Sequence, residues 1–349
     1  MPQRPDHDLA FLLCYENIAW YDEASATVRI LDRRIYPVRT EFVSCKSHQE
    51  VALAIQNMVT QSYGPYTAAA MGMALAAREC QGKASEDQLH YLRAAAKTLS
   101  TARPTTTKQM RRITERQIDL AQEALAHGEK RLDLLLKEEA IRLLDEKYLA
   151  IERQAEYLVD LFPEIGSVMT QCYADTVIGM MLRACRRQKK EISFYCPETR
   201  PFYQGSRLTA SVICDMGFPV YVISDNMPAW TMHEKNIDVF TAASDVITGD
   251  GHVINKVGTF QIALAAHYFD IPFYCTGDPD PEHPTCADIR IEERDPEEVL
   301  SSLGKKHTMP GVKAYYPAFD ITPPEFVSAV VSTRGVFKPN ELAGFWQEQ

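Results

Sequence analysis

The feature that most constrains this chain is a change of rhythm after Pro163. From there, short apolar runs alternate with helical stretches. SVMTQ, ISFYC, PVYVIS, DVFTAAS and IPFYCTG read as strands, and ADTVIGMMLRACRRQ, SRLTASVICDMG, AWTMHEK and TFQIALAAHYF read as the helices between them. Strands that are apolar on both faces and separated by helices belong to a parallel sheet covered on both sides. The expected fold is α/β, with a doubly wound (Rossmann-like) parallel sheet over residues 164–349. In such sheets ligands bind outside the carboxyl ends of the strands. Chemistry is therefore sought at strand ends.

Residues 1–163 read differently. NIAWYDEASATVRIL alternates around a polar turn, RRIYPVRTEFVSC continues it with a break at Pro37, and Ser47 with Glu50 three residues on signals a helix start. An Ala-rich helix follows the Gly64-Pro65 turn. Beyond Arg103-Pro104 runs a long charged amphipathic stretch, broken at Gly128. The expectation is a smaller, mostly helical N-terminal domain carrying a short β element.

Charge excludes several partner classes. Thirty-seven basic against forty-seven acidic residues leave a formal net charge of −10, a poor match for nucleic acid or an anionic membrane. The nine cysteines are scattered and form no C-x-x-C pair, as in a reduced, cytoplasmic protein. The N-terminal apolar run is too short for a signal peptide, and no apolar stretch reaches membrane-spanning length. The reading is a soluble cytoplasmic protein.

Several strand-end residues stand out. Cys172 follows SVMTQ and is expected to open a helix, where the dipole favours a thiolate; a buried, inert thiol is the alternative. Asp245 follows DVFTAAS, a strand-end position where chemistry is sought; a turn-capping carboxylate is the alternative. Arg200, Gln204 and Arg207 surround a glycine after ISFYC and suit an anionic ligand or a salt-bridge network equally. Asn255 and Lys256 sit just before a helix, where both could reach a phosphate. The dinucleotide and P-loop glycine patterns are absent. Cys275, His283 and Cys286 share one loop, but their spacing fits no familiar zinc pattern, so no metal is expected.

Taken together, ETRPFYQGSRLTA, ISDNMPAW, DVFTAASDVITGDGHVINKVGT, IPFYCTG, IEERDPEEV and YPAFDITPPEFVSAVVSTRGV closely resemble the methylthioribose-1-phosphate isomerase family. That family is related to the ribose-1,5-bisphosphate isomerases and to the regulatory α, β and δ subunits of the eukaryotic initiation-factor exchange factor. RILDRRIYP, the MGMALAA helix and Arg103-Pro104 extend the resemblance over nearly the whole chain. By resemblance Cys172 is the catalytic thiol and Asp245 the catalytic Asp. Gln204 contacts the sugar, while Asn255, Lys256 and Arg103 contact the ligand and its phosphate. The family's R-G-A-P phosphate loop appears here as TQSYGP, so Thr60 or Gln61 stands where an Arg is expected. Gln61, Ser62 and Tyr63 fall on the substrate-binding positions of that loop.

The resemblance implies isomerisation of a 5-substituted ribose 1-phosphate, such as the 5-methylthio or 5-deoxy sugar, to the ribulose 1-phosphate. Asp245 would protonate the ring oxygen, helped by a pKa raised through burial. Cys172 would relay a proton between C2 and C1 or assist a hydride shift. No cofactor or metal is implied, and the implied partner is a second copy, in a homodimer formed through the α/β domain. One alternative is a non-catalytic regulatory protein that senses sugar phosphates or nucleotides. Another is a Cys-dependent hydrolase, which would need His233, His252 or His267 as base.

Overall fold

The structure, a computed structural model, describes residues 3–103 and 107–346. The chain divides into two compact units, 1–149 and 150–349.

In the first unit α1 (Tyr15–Ile18) leads into an antiparallel sheet of β1 (Ala19–Asp22), β2 (Thr27–Leu31) and β3 (Phe42–Cys45). Five helices follow: α2 (His48–Gln56), α3 (Gly64–Glu79), α4 (Ser85–Ser100), α5 (Thr107–Ala126) and α6 (Leu132–Asp160). Ser47 caps α2, its Oγ accepting from the Glu50 N–H at 3.2 Å. The Glu50 carboxylate reaches back to the N–H of Lys46 rather than that of Ser47, at 2.7 Å. Every residue of α3 from Thr67 to Ala77 is buried. Its small side chains allow close approach: a Cβ on Gly72 would lie 2.9 Å from Leu99 of α4 and 3.2 Å from Val51 of α2. Gly128, at φ +79°, separates α5 from α6. The division between the units falls inside α6, upstream of the Pro163 boundary read from the sequence.

The second unit runs β4 (Ile165–Met169), α7 (Thr176–Gln188), β5 (Glu191–Pro197), then a π-turn over Gly205–Thr209 continuing into α8 (Ala210–Asp215). Next come β6 (Val220–Ile223), α9 (Pro228–Lys235), β7 (Val239–Ala243), β8 (Val246–Ile247), β9 (Val253–Lys256), α10 (Thr259–Tyr268) and β10 (Phe273–Thr276). The chain finishes with α11 (Glu297–Leu300), the small pair β11 (Ser301–Ser302) and β12 (Lys305–Lys306), β13 (Phe319–Thr322), β14 (Ala329–Ser332) and β15 (Gly335–Phe337).

Seven strands form one sheet in the order β15-β14-β10-β7-β4-β5-β6, parallel except for β15. This is the doubly wound α/β sheet that the alternation of apolar runs predicts. Phe240 and Phe273, fully buried on adjacent strands, stack at 4.3 Å, and each such side chain contributes about 1.5–3 kcal/mol of burial free energy. The winding reverses between β4 and β7, so the crevice of a doubly wound sheet lies beyond the ends of these two strands. A second antiparallel sheet, β13-β9-β8, sets Lys256 opposite Phe319 and Asn255 opposite Asp320.

Candidate active site

Cys172 follows β4 and Asp245 follows β7, so the two candidate catalytic residues occupy the reversal point of the sheet. Gln204 lies on the loop after β5, next to β4. Lys256 ends β9, and its charge acts on Cys172.

Cys172 does not open a helix. It sits in the loop between β4 and α7, four residues ahead of Thr176, with φ +58°. The dipole argument for a thiolate therefore fails here, because the effect fades within the first turn. Burial pushes the thiol up from 9.0 to about 11; Lys256 opposes that shift and Asp245 adds to it. The thiol is protonated at neutral pH.

Backbone strain gathers around this thiol. Cys172, Asp175, Thr199 and Tyr203 all have positive φ, a region that costs a non-glycine residue about 1–3 kcal/mol and persists only where neighbours over-determine it. The neighbours here are specific. Asp225 accepts from the N–H groups of Thr199 and Arg200, both at 2.7 Å. The Cys172 N–H donates to Thr199 Oγ1 at 3.2 Å, and Thr209 Oγ1 donates to the Cys172 carbonyl. The loops after β4 and β5 are thus tied together at the thiol. The π-turn lies in the same knot: a Cβ on Gly205 would fall 1.8 Å from the Pro197 carbonyl oxygen and 2.8 Å from Thr199 Oγ1. Only glycine fits there, and π-turns of this kind recur at functional sites.

Lys256 is buried, and no salt bridge to it is present among the described residues. Its ammonium lies 4.9 Å from the Phe319 ring centroid. Burial depresses its pKa, Arg294 pushes the same way, and Cys172 and Asp245 partly offset both. A buried ammonium without a carboxylate partner suits an arriving anion. Asn255 is buried beside it and donates to Thr259 Oγ1 at 3.1 Å. Across the sheet, Asp320 caps α10 by accepting from the N–H groups of Gly258 at 2.7 Å and Phe260 at 3.1 Å. Burial raises the Asp320 carboxyl from 3.8 to about 6, against the opposing hydrogen bonds from those two groups.

Gln171 Oε1, Gln204 Oε1, Glu298 Oε2 and Asp320 Oδ1 are buried without a hydrogen-bond partner among the described residues, as are atoms elsewhere in the chain such as Gln117 Oε1 and Thr322 Oγ1. Native interiors leave few such groups unsatisfied, and a ligand rich in hydroxyl groups would satisfy the first four.

Other sequence expectations resolve differently. Asp245 is exposed, not buried, so the protein alone does not desolvate its carboxyl. Arg200 donates to the carbonyls of Val299 and Ser301 and to Tyr203, and Arg207 to the Phe202 carbonyl, so both serve loop structure. Cys275 is buried in β10, apart from Cys286, which instead meets Asp250 and His252. The Asp250 carboxylate there already accepts from Thr248, His252 and the Cys286 N–H.

The remaining candidates belong to the first unit. Thr60 and Gln61 are buried, whereas Ser62, at φ +56°, is exposed and Tyr63 half-buried at the start of α3. Among the described residues the Tyr63 side chain makes no capping hydrogen bond to that helix end. Beneath the loop, the fully buried Arg33 donates to the Gln61 carbonyl at 2.7 Å. Tyr63 packs edge-on against Tyr66 at 4.8 Å, and Lys147 lies 3.3 Å over the Tyr63 ring. Arg103 is partly buried just after α4, and its neighbour Pro104 lies outside the described residues. Sequence reasoning missed Thr199, Asp225, Arg294, Glu298, Tyr316 and Asp320. No spacing rule singles them out, although all six lie inside the quoted segments ETRPFYQGSRLTA, ISDNMPAW, IEERDPEEV and YPAFDITPPEFVSAVVSTRGV.

The chain is thus a doubly wound α/β protein with a thiol and a carboxylate at the reversal of its sheet, and a buried ammonium within electrostatic reach of the thiol. Residues 61–339 match the model of the initiation factor 2 subunit family. A methylthioribose-1-phosphate isomerase of Heliobacterium modesticaldum is 34% identical over 342 residues, 94% of this chain and 97% of that protein. One of Anaeromyxobacter dehalogenans is 35% identical over 93% of this chain and 94% of its own. Among solved structures, the 5-methylthioribose 1-phosphate isomerase of Pyrococcus horikoshii OT3 superposes with a TM-score of 0.86 at 28% identity, covering 97% of this chain and 96% of that one. The translation initiation factor eIF-2B subunit delta of A. fulgidus gives 0.79 at 30% identity, covering 93% and 96%. The chain belongs to the initiation factor 2 subunit family and, within it, to the methylthioribose-1-phosphate isomerase family; it is an isomerase.

Proposed function

We propose that the protein interconverts a 5-substituted ribose 1-phosphate, such as the 5-methylthio or 5-deoxy sugar, and the corresponding ribulose 1-phosphate. The observation that carries this reading is the placement of Cys172 and Asp245 at the reversal of the sheet, with Lys256 within electrostatic reach of the thiol. Lys256 and Asn255 would hold the phosphate, while Gln204 would hold sugar hydroxyls. The phosphate on the anomeric oxygen leaves no free aldehyde, so the ring must open first. Asp245 would give its proton to the ring oxygen as the C1–O4 bond breaks, with the bound sugar supplying the desolvation that the exposed carboxyl lacks.

A thiol pushed up to about 11 is a poor base for the C2 proton. This favours transfer of hydrogen from C2 to C1 as hydride. The electron pair leaves C2, the former C2 hydroxyl becomes the ketone, and its proton returns to Asp245. Cys172 then lines the path as a neutral, polarisable group. The proton relay through Cys172 is the competing route.

The exposed apolar side chains of edge strand β6, Tyr221 and Val222, support a homodimer formed through the α/β unit, because an open apolar edge invites pairing; sedimentation velocity would detect it. Turnover is tested by proton NMR with 5-methylthioribose 1-phosphate and 5-deoxyribose 1-phosphate. Loss of the anomeric signal and growth of a ketose C1 methylene signal support the reading. Absence of turnover with both sugars moves the non-catalytic sensor to the front.

A further inference from the structure

The segment before α11 and the approach to β13 run side by side. The Arg294 N–H donates to the Tyr316 carbonyl at 3.0 Å, the Ala318 N–H donates to the Glu292 carbonyl at 2.8 Å, and Glu293 bridges Pro317. Three residues beyond Tyr316 lies Phe319, which faces Lys256 across the sheet. The consequence is two cations on one ring: Lys256 Nζ at 4.9 Å and Arg294 Cζ at 5.5 Å from the Phe319 centroid. An aromatic face can hold cations close together while leaving them open to an anion.

Tyr316 is 3% exposed, and its hydroxyl interacts with the Arg294 guanidinium. Glu298 Oε2 is buried and has no hydrogen-bond partner among the described residues. Both residues lie within electrostatic reach of the site: Tyr316 of Cys172, and Glu298 of Lys256. Arg294 also pairs with Glu292 at 2.9 Å. That carboxylate and the Tyr316 hydroxyl hold the guanidinium in place beside Lys256.

We propose that Arg294, Glu298 and Tyr316 are further substrate-contacting residues: Arg294 is a second phosphate cation beside Lys256, and Tyr316 and Glu298 bind sugar hydroxyls. The proposal rests on the isomerase reading and adds to that site α11, the segment that leads into it and the approach to β13. It gives the chain, which has no arginine at Thr60 or Gln61, a guanidinium within the α/β unit.

The test compares wild type, Tyr316→Phe, Glu298→Gln and Arg294→Met in full-length protein. Tyr316→Phe keeps the ring and removes only the hydroxyl, so it should lower stability by no more than the loss of one hydrogen bond. It should also cut kcat/KM by about 10- to 100-fold, the loss expected when a substrate hydrogen bond goes unmade. Arg294→Met should raise KM more than it lowers kcat, and Arg294→Lys should restore part of the loss. Wild-type kinetics in both Tyr316→Phe and Arg294→Met, with wild-type melting, would overturn the proposal. Failure of the wild type to turn over would defeat the isomerase reading alone. Inorganic phosphate then decides the cation site: stabilisation of the wild type that is lost in Arg294→Met supports it, and equal stabilisation of both overturns it.

Discussion

Cys172 gives the sharpest physical prediction, because its sequence context and its folded surroundings argue in opposite directions. The sequence reads as a thiol at a helix start, where a thiolate is favoured, yet α7 begins four residues later and burial raises the thiol from 9.0 to about 11. At pH 8 a thiol of pKa 9.0 is roughly one-tenth ionised, and one of about 11 roughly one-thousandth. Alkylation of Cys172 by iodoacetamide at pH 8 should therefore run about 100-fold slower than in the unfolded chain. The rate should keep climbing to about pH 11. The neighbours set the sign of two variants. Asp245→Asn removes a charge that raises the thiol and should speed alkylation; Lys256→Met removes the cation that lowers it and should slow alkylation. Peptide-level mass spectrometry of labelled protein between pH 7 and 11 separates Cys172 from the other eight cysteines. A rate that levels off at or below pH 8, or variants that shift it in the reverse order, would refute the electrostatic account.

Three further outcomes follow from the same geometry. With the substrate deuterated at C2, hydride transfer retains the label at C1 of the product, and NMR showing its washout into solvent would establish the proton relay instead. Gly205→Ala should cost about 2–4 kcal/mol in chemical denaturation and lower activity at least tenfold, since the new Cβ would meet the Pro197 carbonyl oxygen and Thr199 Oγ1; near-wild-type stability would contradict the packing. Asp320 is raised from 3.8 to about 6, so the folded state binds its proton more tightly and stability falls as pH rises through that window. About two pKa units correspond to about 3 kcal/mol. Asp320→Asn keeps an acceptor for Gly258 and Phe260 and should flatten this slope, gaining stability at pH 8; an unchanged slope would count against the shift.

Much of the fold was legible because its signals are local and strong. The strands β4, β5, β7 and β10 are apolar runs that helices separate, and Ser47 and Gly128 punctuate the helices as capping and breaking chemistry predicts. The reversal of the sheet that brings Cys172 and Asp245 together is a long-range property, yet the strand-end rule pointed to both residues. What stayed hidden depends on tertiary contacts. The positive φ of Cys172 is imposed by Thr199, Thr209 and Asp225, which come from other loops. Arg200 and Arg207 carry the residue type of an anion site but spend their donors on carbonyls. Tyr316 and Glu298 look ordinary in sequence, because their nearness to Cys172 and Lys256 is visible only once the chain is folded.

The account's central claim is that Cys172 and Asp245 act on a sugar 1-phosphate. The most direct test follows 5-methylthioribose 1-phosphate by proton NMR with wild type, Cys172→Ser and Asp245→Asn, each shown to be folded by its melting curve. The account predicts conversion to the ketose by wild type and a loss of at least about 100-fold in each variant, the scale of a catalytic proton donor. Conversion that survives in either variant, or no conversion by the wild type, would contradict it.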